Sequence, residues 1–391
     1  MIYNVLIRPR DPMLFRDGRP FNAGQGARTI PWPMPSTVSG FLRTRLARGR
    51  TFPDPTLSAD LLKVRHVGPF LACQTGEDSW ELAFAAPADA GVYADGRNLK
   101  LIPFRPSSSN HSDNTDMPVI AGRRLALLAP SLVDKPSPDA PPFWMASKTL
   151  SWLARTDGKE GVDTADQLGV KLHNHVRLHT QIQPGQRNVV KHMLFRTSSL
   201  EFDFDRDFHQ DVPNPRLRRT PVNSRLGFGV FSSLDSDLNN ATAPYGVGAF
   251  GGEQRLAEYV AAPASLSLPA VPAEKFGKRI RLQLITPGVF DRGWLPGWAV
   301  HGKPPGFPGL ELKLIAAAVR RYDAVSGFDF TRQGQERIRA TRFLAPAGST
   351  YFFEVVSGDP GQLWLQSICD QKQDGLDGFG VVLVGAWQWH Q

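Results

Sequence analysis

From Ile2 to Arg8, β-branched and apolar positions alternate, which predicts a strand ending at Pro9. Between Pro35 and Arg48 the period changes. Val38, Phe41, Leu42 and Leu46 recur at helical spacing, and Ser36 or Thr37 is placed to cap the helix. Arg43, Arg45, Arg48 and Arg50 are left largely on the other faces. From Thr51 to Val170 the pattern weakens, with polar or proline-rich patches at Arg105–Asp116 and Lys135–Pro142, so this stretch reads as insertions and loops with local strands. A proline-containing linker, Leu266–Pro272, follows Gly251-Gly252, and a new strand starts within Lys278–Pro287, which puts a domain boundary near residue 270. Beyond it, Arg281–Ile285, Leu310–Tyr322, Arg337–Phe343, Thr350–Val356 and Gly380–Trp387 predict strands, with a short helix over Gly361–Cys369 between the last two. The β-then-α opening is what a ferredoxin-like (RRM-like) unit requires, and the later order resembles a second, distorted one. The expected class is therefore α+β: two ferredoxin-like domains, residues 1–270 and 271–391, with large insertions and loops.

Two segments alternate with chemistry on one face. His173, His175, Arg177 and His179 interleave with Val176 and Leu178, so a strand would align three histidines and an arginine in one polar row. Such a row could contact phosphates or protein, lie as a solvated face, supply zinc ligands or do acid–base work; the fixed cation Arg177 argues against metal. Glu201, Asp203, Asp205 and Asp207 interleave with Phe202, Phe204 and Phe208. Neighbouring carboxylates repel, so a cation or a basic neighbour is expected beside them, the simplest being the 173–179 strand.

Composition narrows the partner. Lys and Arg number 45 against 37 Asp and Glu, a net charge of +8 that favours a polyanion. The 36 glycines and 33 prolines favour turns and short strands over helical bundles. Cys73 and Cys369 are the only cysteines and form no metal or disulfide pattern, which fits a reducing, cytoplasmic setting. Charge and proline interrupt the N-terminus where a signal peptide needs an apolar core, and no apolar run approaches membrane-spanning length. Neither export nor a membrane is expected.

Two further constellations suit RNA. Arg16 and Arg19 flank a turn at Asp17-Gly18, with Arg8 and Arg10 upstream, Phe21, Gly24, Gly26 and Arg28 just after, and Arg43, Arg45, Arg48 and Arg50 following. Guanidinium groups converging around a turn can grip phosphates and stack on splayed bases, or simply pair with scattered acids. Arg216, Arg218 and Arg219 add a second basic patch or a solubilising loop. Near the C-terminus, Gly375-Leu-Asp-Gly-Phe-Gly380 precedes a strand; its amides could converge on a phosphate and Phe379 could stack a base, or the glycines could serve a tight connection over a packed Phe. Walker A, GxSxG, His-Glu-x-x-His and dinucleotide signatures are missing, although a metal-independent ribonuclease would need only a His or Lys pair.

The phrase Asp11-Pro-Met-Leu-Phe-Arg-Asp-Gly-Arg-Pro-Phe21, with Pro33-Met-Pro-Ser-Thr-Val-Ser-Gly40, resembles the opening of RAMP-superfamily CRISPR proteins, specifically Cmr subunit three of the type III-B effector complex. Gly251-Gly-Glu-Gln-Arg255, Arg342-Phe-Leu-Ala-Pro-Ala-Gly-Ser-Thr-Tyr-Phe-Phe-Glu354 and the glycine-rich segment extend the resemblance along the chain. The segment His175-Val-Arg-Leu-His179 resembles a RAMP strand but departs from it at the final positions. The resemblance implies a subunit without catalysis or cofactor that anchors the 5′ repeat-derived tag of a CRISPR RNA. It would bridge the large polymerase/cyclase-like subunit to the backbone RAMP subunits. The RNA-binding residues it implies, together with the polar rows above, are Arg16, Arg19, Phe21, Ser36, Thr37, Arg43, His173, His175, Arg177, Gly375, Gly378, Phe379 and Gly380. A RAMP endoribonuclease using His173, His175 or His179, and a basic assembly scaffold, are the alternatives.

Overall fold

A computed structural model describes residues 2–15, 29–47, 55–108, 117–129, 135–156, 159–183, 185–186, 188–202, 226–233, 245–328 and 338–390. Antiparallel sheet dominates it, with few helices.

The alternating opening forms the strand Ile2–Pro9, inside an eight-stranded sheet. In spatial order the strands are Gly169–Val170, Phe143–Met145, Trp80–Ala85, Arg65–Gln74, Leu226–Ser233, Ile2–Pro9, Leu256–Ala261 and Gly246–Ala249. Alternation sends Val5 and Ile7 to one face, where Val38 and Leu42 of the helix Pro35–Leu46 cover them with Phe228 and Tyr259. Leu6 points to the other face. The helix begins at Pro35, with Met34 at the cap and no side-chain capping bond, so Ser36 and Thr37 lie in its first turn rather than capping it. Proline suits that first position because its missing N–H would have no partner there.

The weakly patterned region contributes more than inserted loops. Arg65–Gln74 lies between Leu226–Ser233 and Trp80–Ala85, buried along nearly its whole length. A strand covered on both faces has no polar side to alternate with, so it carries no period-two signal.

A four-stranded antiparallel sheet follows, in the order Glu311–Ala318, Thr350–Ser357, Arg279–Leu284, Val382–Ala386. The stretch 262–278 holds no helix or strand. One core nonetheless crosses it: Leu6, Phe70 and Phe84 of the first sheet pack with Ile280, Leu282, Phe353 and Val384 of the second. A buried ion cluster adds a second tie. Asp89 accepts hydrogen bonds from Arg281 Nη1 at 2.6 Å, Arg105 Nη1 at 2.9 Å and Trp152 Nε1 at 3.1 Å. Burial alone would raise this carboxyl, but the two guanidinium groups outweigh it and hold Asp89 below its ordinary value.

Two expected elements differ. The strand predicted over Leu310–Tyr322 stops at Ala318, and the chain turns through Arg320 and Arg321 into Asp323–Phe328, which pairs with Ile338–Ala345. The helix predicted over Gly361–Cys369 is only a 3-10 turn, Pro360–Leu363. Beyond it the backbone joins the sheet instead: Leu365 N–H donates to Val382 O and Ile368 N–H to Gly380 O, each at 2.9 Å. A short α-helix forms later, at Lys372–Leu376, so Gly375 is helical rather than part of a loop.

Candidate nucleic-acid interface

The opening motif crosses the limit of the described residues. Arg16, Arg19, Phe21, Gly24, Gly26 and Arg28 lie outside them, as do Arg48, Arg50, Asp203, Asp205, Asp207 and the arginines at 216, 218 and 219. What the structure shows is the base from which the motif departs. Ile30 N–H donates to Phe15 O at 2.9 Å, so the two ends of the 16–29 stretch are joined. Phe15 is anchored against Phe228 and Phe250. Gly252 N–H donates to Leu14 O at 2.7 Å, and a Cβ on Gly251 would meet that same oxygen at 2.8 Å. The Gly251–Arg255 turn therefore clamps the root of the motif. It carries two consecutive non-glycine residues in the left-handed region, Glu253 at φ 56° and Gln254 at φ 52°. Side chains disfavour that conformation by about 1–3 kcal/mol each, a cost that surrounding structure must offset. The Gly-Gly pair was the visible signal for a tight turn; its use as a clamp was not.

Arg43 is placed differently from expectation. It is 8% exposed, and its Nη1 donates to Asp377 Oδ1 at 2.5 Å while Nη2 donates to Val64 O at 2.9 Å. A residue expected to face RNA is a strut between the first helix and the C-terminal glycine segment. The other described arginines of the opening are also engaged: Arg10 pairs with Glu258 at 3.1 Å, Arg8 lies over Trp80, and Arg45 lies over Phe41 and Tyr259. Ser36 is half-buried and Thr37 exposed, in the helical turn that follows the 16–29 stretch.

The glycine segment serves close approach within the chain. Gly378, at φ 98°, lies against the strand Arg65–Gln74, and a Cβ there would stand 2.8 Å from Gly68 O. The amides of Gly378, Phe379 and Gly380 donate to Gly375 O, Asp374 O and Pro287 O, so they are not presented to a phosphate. Phe379 is fully buried, packed with Leu344, Cys369 and Met34, which removes it from base stacking. Arg342 fixes the same segment by donating to Asp374 Oδ1 at 2.6 Å. Beneath it, His66 Nδ1 lies 2.8 Å from Ser232 Oγ; burial, and then the charge of Arg43, hold this imidazole neutral and well below its ordinary value.

The histidine row exists, in a hairpin. His173–Ile182 pairs with Val189–Glu201, aligning His173 with Glu201, His175 with Ser199 and Arg177 with Thr197. Glu201, the first residue of the acidic row, is thus aligned with His173 of the basic strand. His173, His175 and His179 are half-buried and Arg177 exposed; Thr197 and Ser199 opposite them are buried, and His179 Nε2 lies 2.8 Å from Thr197 Oγ1. The exposed row is the apolar one, with Val176 at 58%, Leu178 at 60% and Leu194 at 64%. The hairpin's root bonds to the opening motif, Leu200 N–H to Met13 O at 2.7 Å and Met13 N–H to Leu200 O at 2.8 Å. Among the described residues no group of three or more His, Cys, Asp or Glu could hold a metal, and no helix is long and apolar enough to cross a membrane.

Comparison with known proteins bears on this arrangement. A model of the CRISPR-associated protein family Cas_Cmr3 matches residues 5–387. No curated protein matches significantly. Among solved structures, the chain is similar to one in a cryo-EM structure of the type III-B Cmr-β complex bound to cognate target RNA and AMPPnP, at 17% identity, over 89% of this chain and 86% of that one, with a TM-score of 0.43. A chain of that complex bound to cognate target RNA gives 16% identity over 89% and 86%, with a TM-score of 0.42. A chain of the Csm3–Csm4 subcomplex of the type III-A interference complex gives 8% identity over 91% and 94%, with a TM-score of 0.38. No function follows from likenesses this distant.

Proposed function

The chain belongs to the Cas_Cmr3 family of CRISPR-associated proteins, RAMP-type subunits of the type III-B (Cmr) effector complex of antiviral defence, and from that membership we propose that it binds CRISPR RNA without cleaving it. In this reading it anchors the 5′ repeat-derived tag and bridges the large polymerase/cyclase-like subunit to the backbone RAMP filament, within the cytoplasm. The observation that carries the proposal is the closed root of the opening motif: Phe15 and Ile30 are bonded together, and the strained Gly251–Arg255 turn clamps Leu14. A basic segment tethered at both ends loses less freedom when it closes on a strand than an open one does. Arg16 and Arg19 would neutralise tag phosphates, Phe21 would stack a base, and the Ser36–Thr37 turn would add donors. The exposed apolar row of the hairpin suits a neighbouring protein, and the row of half-buried His173 and His175 with exposed Arg177 suits RNA. Arg43 and residues 375–380 act in this scheme as positioning groups.

Two ferredoxin-like units are part of the same proposal. Within the first sheet the run Leu256–Ala261, Ile2–Pro9, Leu226–Ser233, Arg65–Gln74 follows the order fourth, first, third, second, and the second sheet repeats it. Domain limits of 1–270 and 271–391 accord with that repetition.

The test is incubation of the protein in EDTA with labelled repeat-spacer precursor and with mature guide, reading cleavage and tag-dependent retention together. Retention of tagged guide without cleavage is expected, and R16A/R19A should weaken it at unchanged thermal stability. Specific cleavage abolished by replacing His173, His175 or His179 would make the protein a processing ribonuclease instead. Retention indifferent to the tag would leave only a basic scaffold.

A further inference from the structure

A cleft of about 510 Å³ opens at the place where the second sheet turns into its neighbouring hairpin, on elements that the tag-binding proposal does not use. Its volume lies within the roughly 300–1,000 Å³ of small-molecule sites. One wall is the turn after Ala318, carrying Arg320, Arg321 and Tyr322; Phe343 of the strand Ile338–Ala345 faces it, and Trp294 closes the side. Tyr322 and Phe343 meet edge to face with ring centroids 4.9 Å apart, yet they are 52% and 55% exposed. Two large rings held together at a rim and left open to water present a π-face to an incoming ring. Among the described residues no carboxylate lines the cleft; Asp323, next after Tyr322, pairs by register with Leu344 and lies outside the lining. Arg320 Nη2 donates to Pro87 O at 3.4 Å and its charge interacts with that of Asp89, so the cation that faces an incoming anion is the exposed Arg321. Phe343 also lies next to Arg342, whose guanidinium turns instead to Asp374 and Phe379, so adjacent residues on one strand serve the glycine segment and the cleft separately.

We propose that this cleft is a nucleotide subsite, in which a base stacks on Phe343 and Tyr322 while its phosphate meets Arg321. Flat aromatic surface combined with fixed cations is what recognises a nucleotide without reading its sequence, since every base has a π-face and every unit a phosphate. The occupant is a nucleoside phosphate, free or as one unit of a single strand.

Fluorescence titration of the full chain with 2-aminopurine riboside 5′-monophosphate tests this directly, with the phosphate-free riboside and a 5′-phosphorylated trinucleotide carrying the same base as comparison probes. Saturable quenching by the monophosphate is expected. F343A should weaken it about 5- to 100-fold, as loss of one stacking platform does, and F343W should retain it. R321A should weaken the monophosphate and leave the riboside unchanged. Because Phe343 and Tyr322 are more than half exposed, these variants should fold. Tighter binding of the trinucleotide identifies a strand as the source, and preference for the monophosphate a free nucleotide. R16A/R19A should leave probe binding intact and F343A should leave tag retention intact, so the two proposals fail separately. Absence of saturable quenching up to several millimolar, equal affinity for riboside and monophosphate, or identical binding by F343A and wild type would each overturn the subsite. Loss of a partner subunit from F343A with no nucleotide binding by the wild type would make the cleft a protein-docking site instead.

Discussion

Breaking the Arg43–Asp377 pair separates a structural arginine from an RNA-contacting one. The side chains are 10% and 7% exposed and the ion pair is 2.5 Å long, so removing one partner strands a largely buried charge. Such a loss costs about 3–5 kcal/mol when no other partner exists. Here each keeps others, Val64 O at 2.9 Å with Leu62 O and Leu376 O at 3.4 and 3.5 Å for Arg43, and Gln373 Nε2 at 3.0 Å for Asp377, which brings the expected cost of R43M or D377L to about 2–3 kcal/mol. The double variant removes both charges and should cost little more than either single change, a coupling of about 2 kcal/mol by denaturant unfolding. Tag affinity of that double variant decides the function of Arg43. If Arg43 is a strut and its replacement keeps the helix seated, RNA binding at low temperature stays within about twofold. If Arg43 instead neutralises a phosphate, its removal lowers the salt slope by about 0.7. Additive single costs, or a reduced slope, would refute this placement.

Three other perturbations follow from the same frame. His66 is held neutral in the fold and titrates near its ordinary value when unfolded, so acid favours the unfolded chain. Stability should be level above about pH 6.5 and fall below it by up to about 1.4 kcal/mol per pH unit, and urea midpoints of H66N should lose that part of the dependence. D89N should destabilise by about 3–5 kcal/mol, because Arg105 and Arg281 are buried against that carboxylate; a melting temperature within a degree of wild type would show the cluster to be dispensable. G378A combines a φ of 98° with a Cβ 2.8 Å from Gly68 O, so calorimetry should show a loss of at least about 1 kcal/mol.

Legibility in the sequence followed exposure. The first helix and the 173–179 strand were readable because each has one wet face, which leaves a period in the sequence, whereas the first strand, buried on both faces at Val5, Leu6 and Ile7, was readable from its β-rich composition. Arg65–Gln74 was not, since burial on both faces removes the period, and Gly361–Cys369 misled because pairing with Val381 and Val382 competes with local helical preference. Motifs located regions but not roles. Glycines at 378 and 380 have the same composition whether a phosphate or Gly68 O approaches, and only the occupied amides separate the two. The cleft at Tyr322 and Phe343 joins residues 21 positions apart in the sequence, opposite Met117, Pro118 and Leu125 from a distant segment, and left no pattern to find.

The engaged arginines also set how strongly salt should act on guide binding. Nine arginines stand between residues 8 and 50, and if all met phosphates the single-strand slope would approach about 6 log units per log unit of salt. Arg43 and Arg10 are paired with carboxylates, while Arg8 and Arg45 lie over rings. Arg16, Arg19, Arg28, Arg48 and Arg50 remain to supply the opening's phosphate contacts, which limits its contribution to a slope of about 3.5. Filter binding of tagged guide between about 50 and 400 mM salt, comparing wild type with a variant in which those five are replaced by Gln, measures that contribution as a difference. A difference near zero would move the anion-binding surface away from the opening altogether.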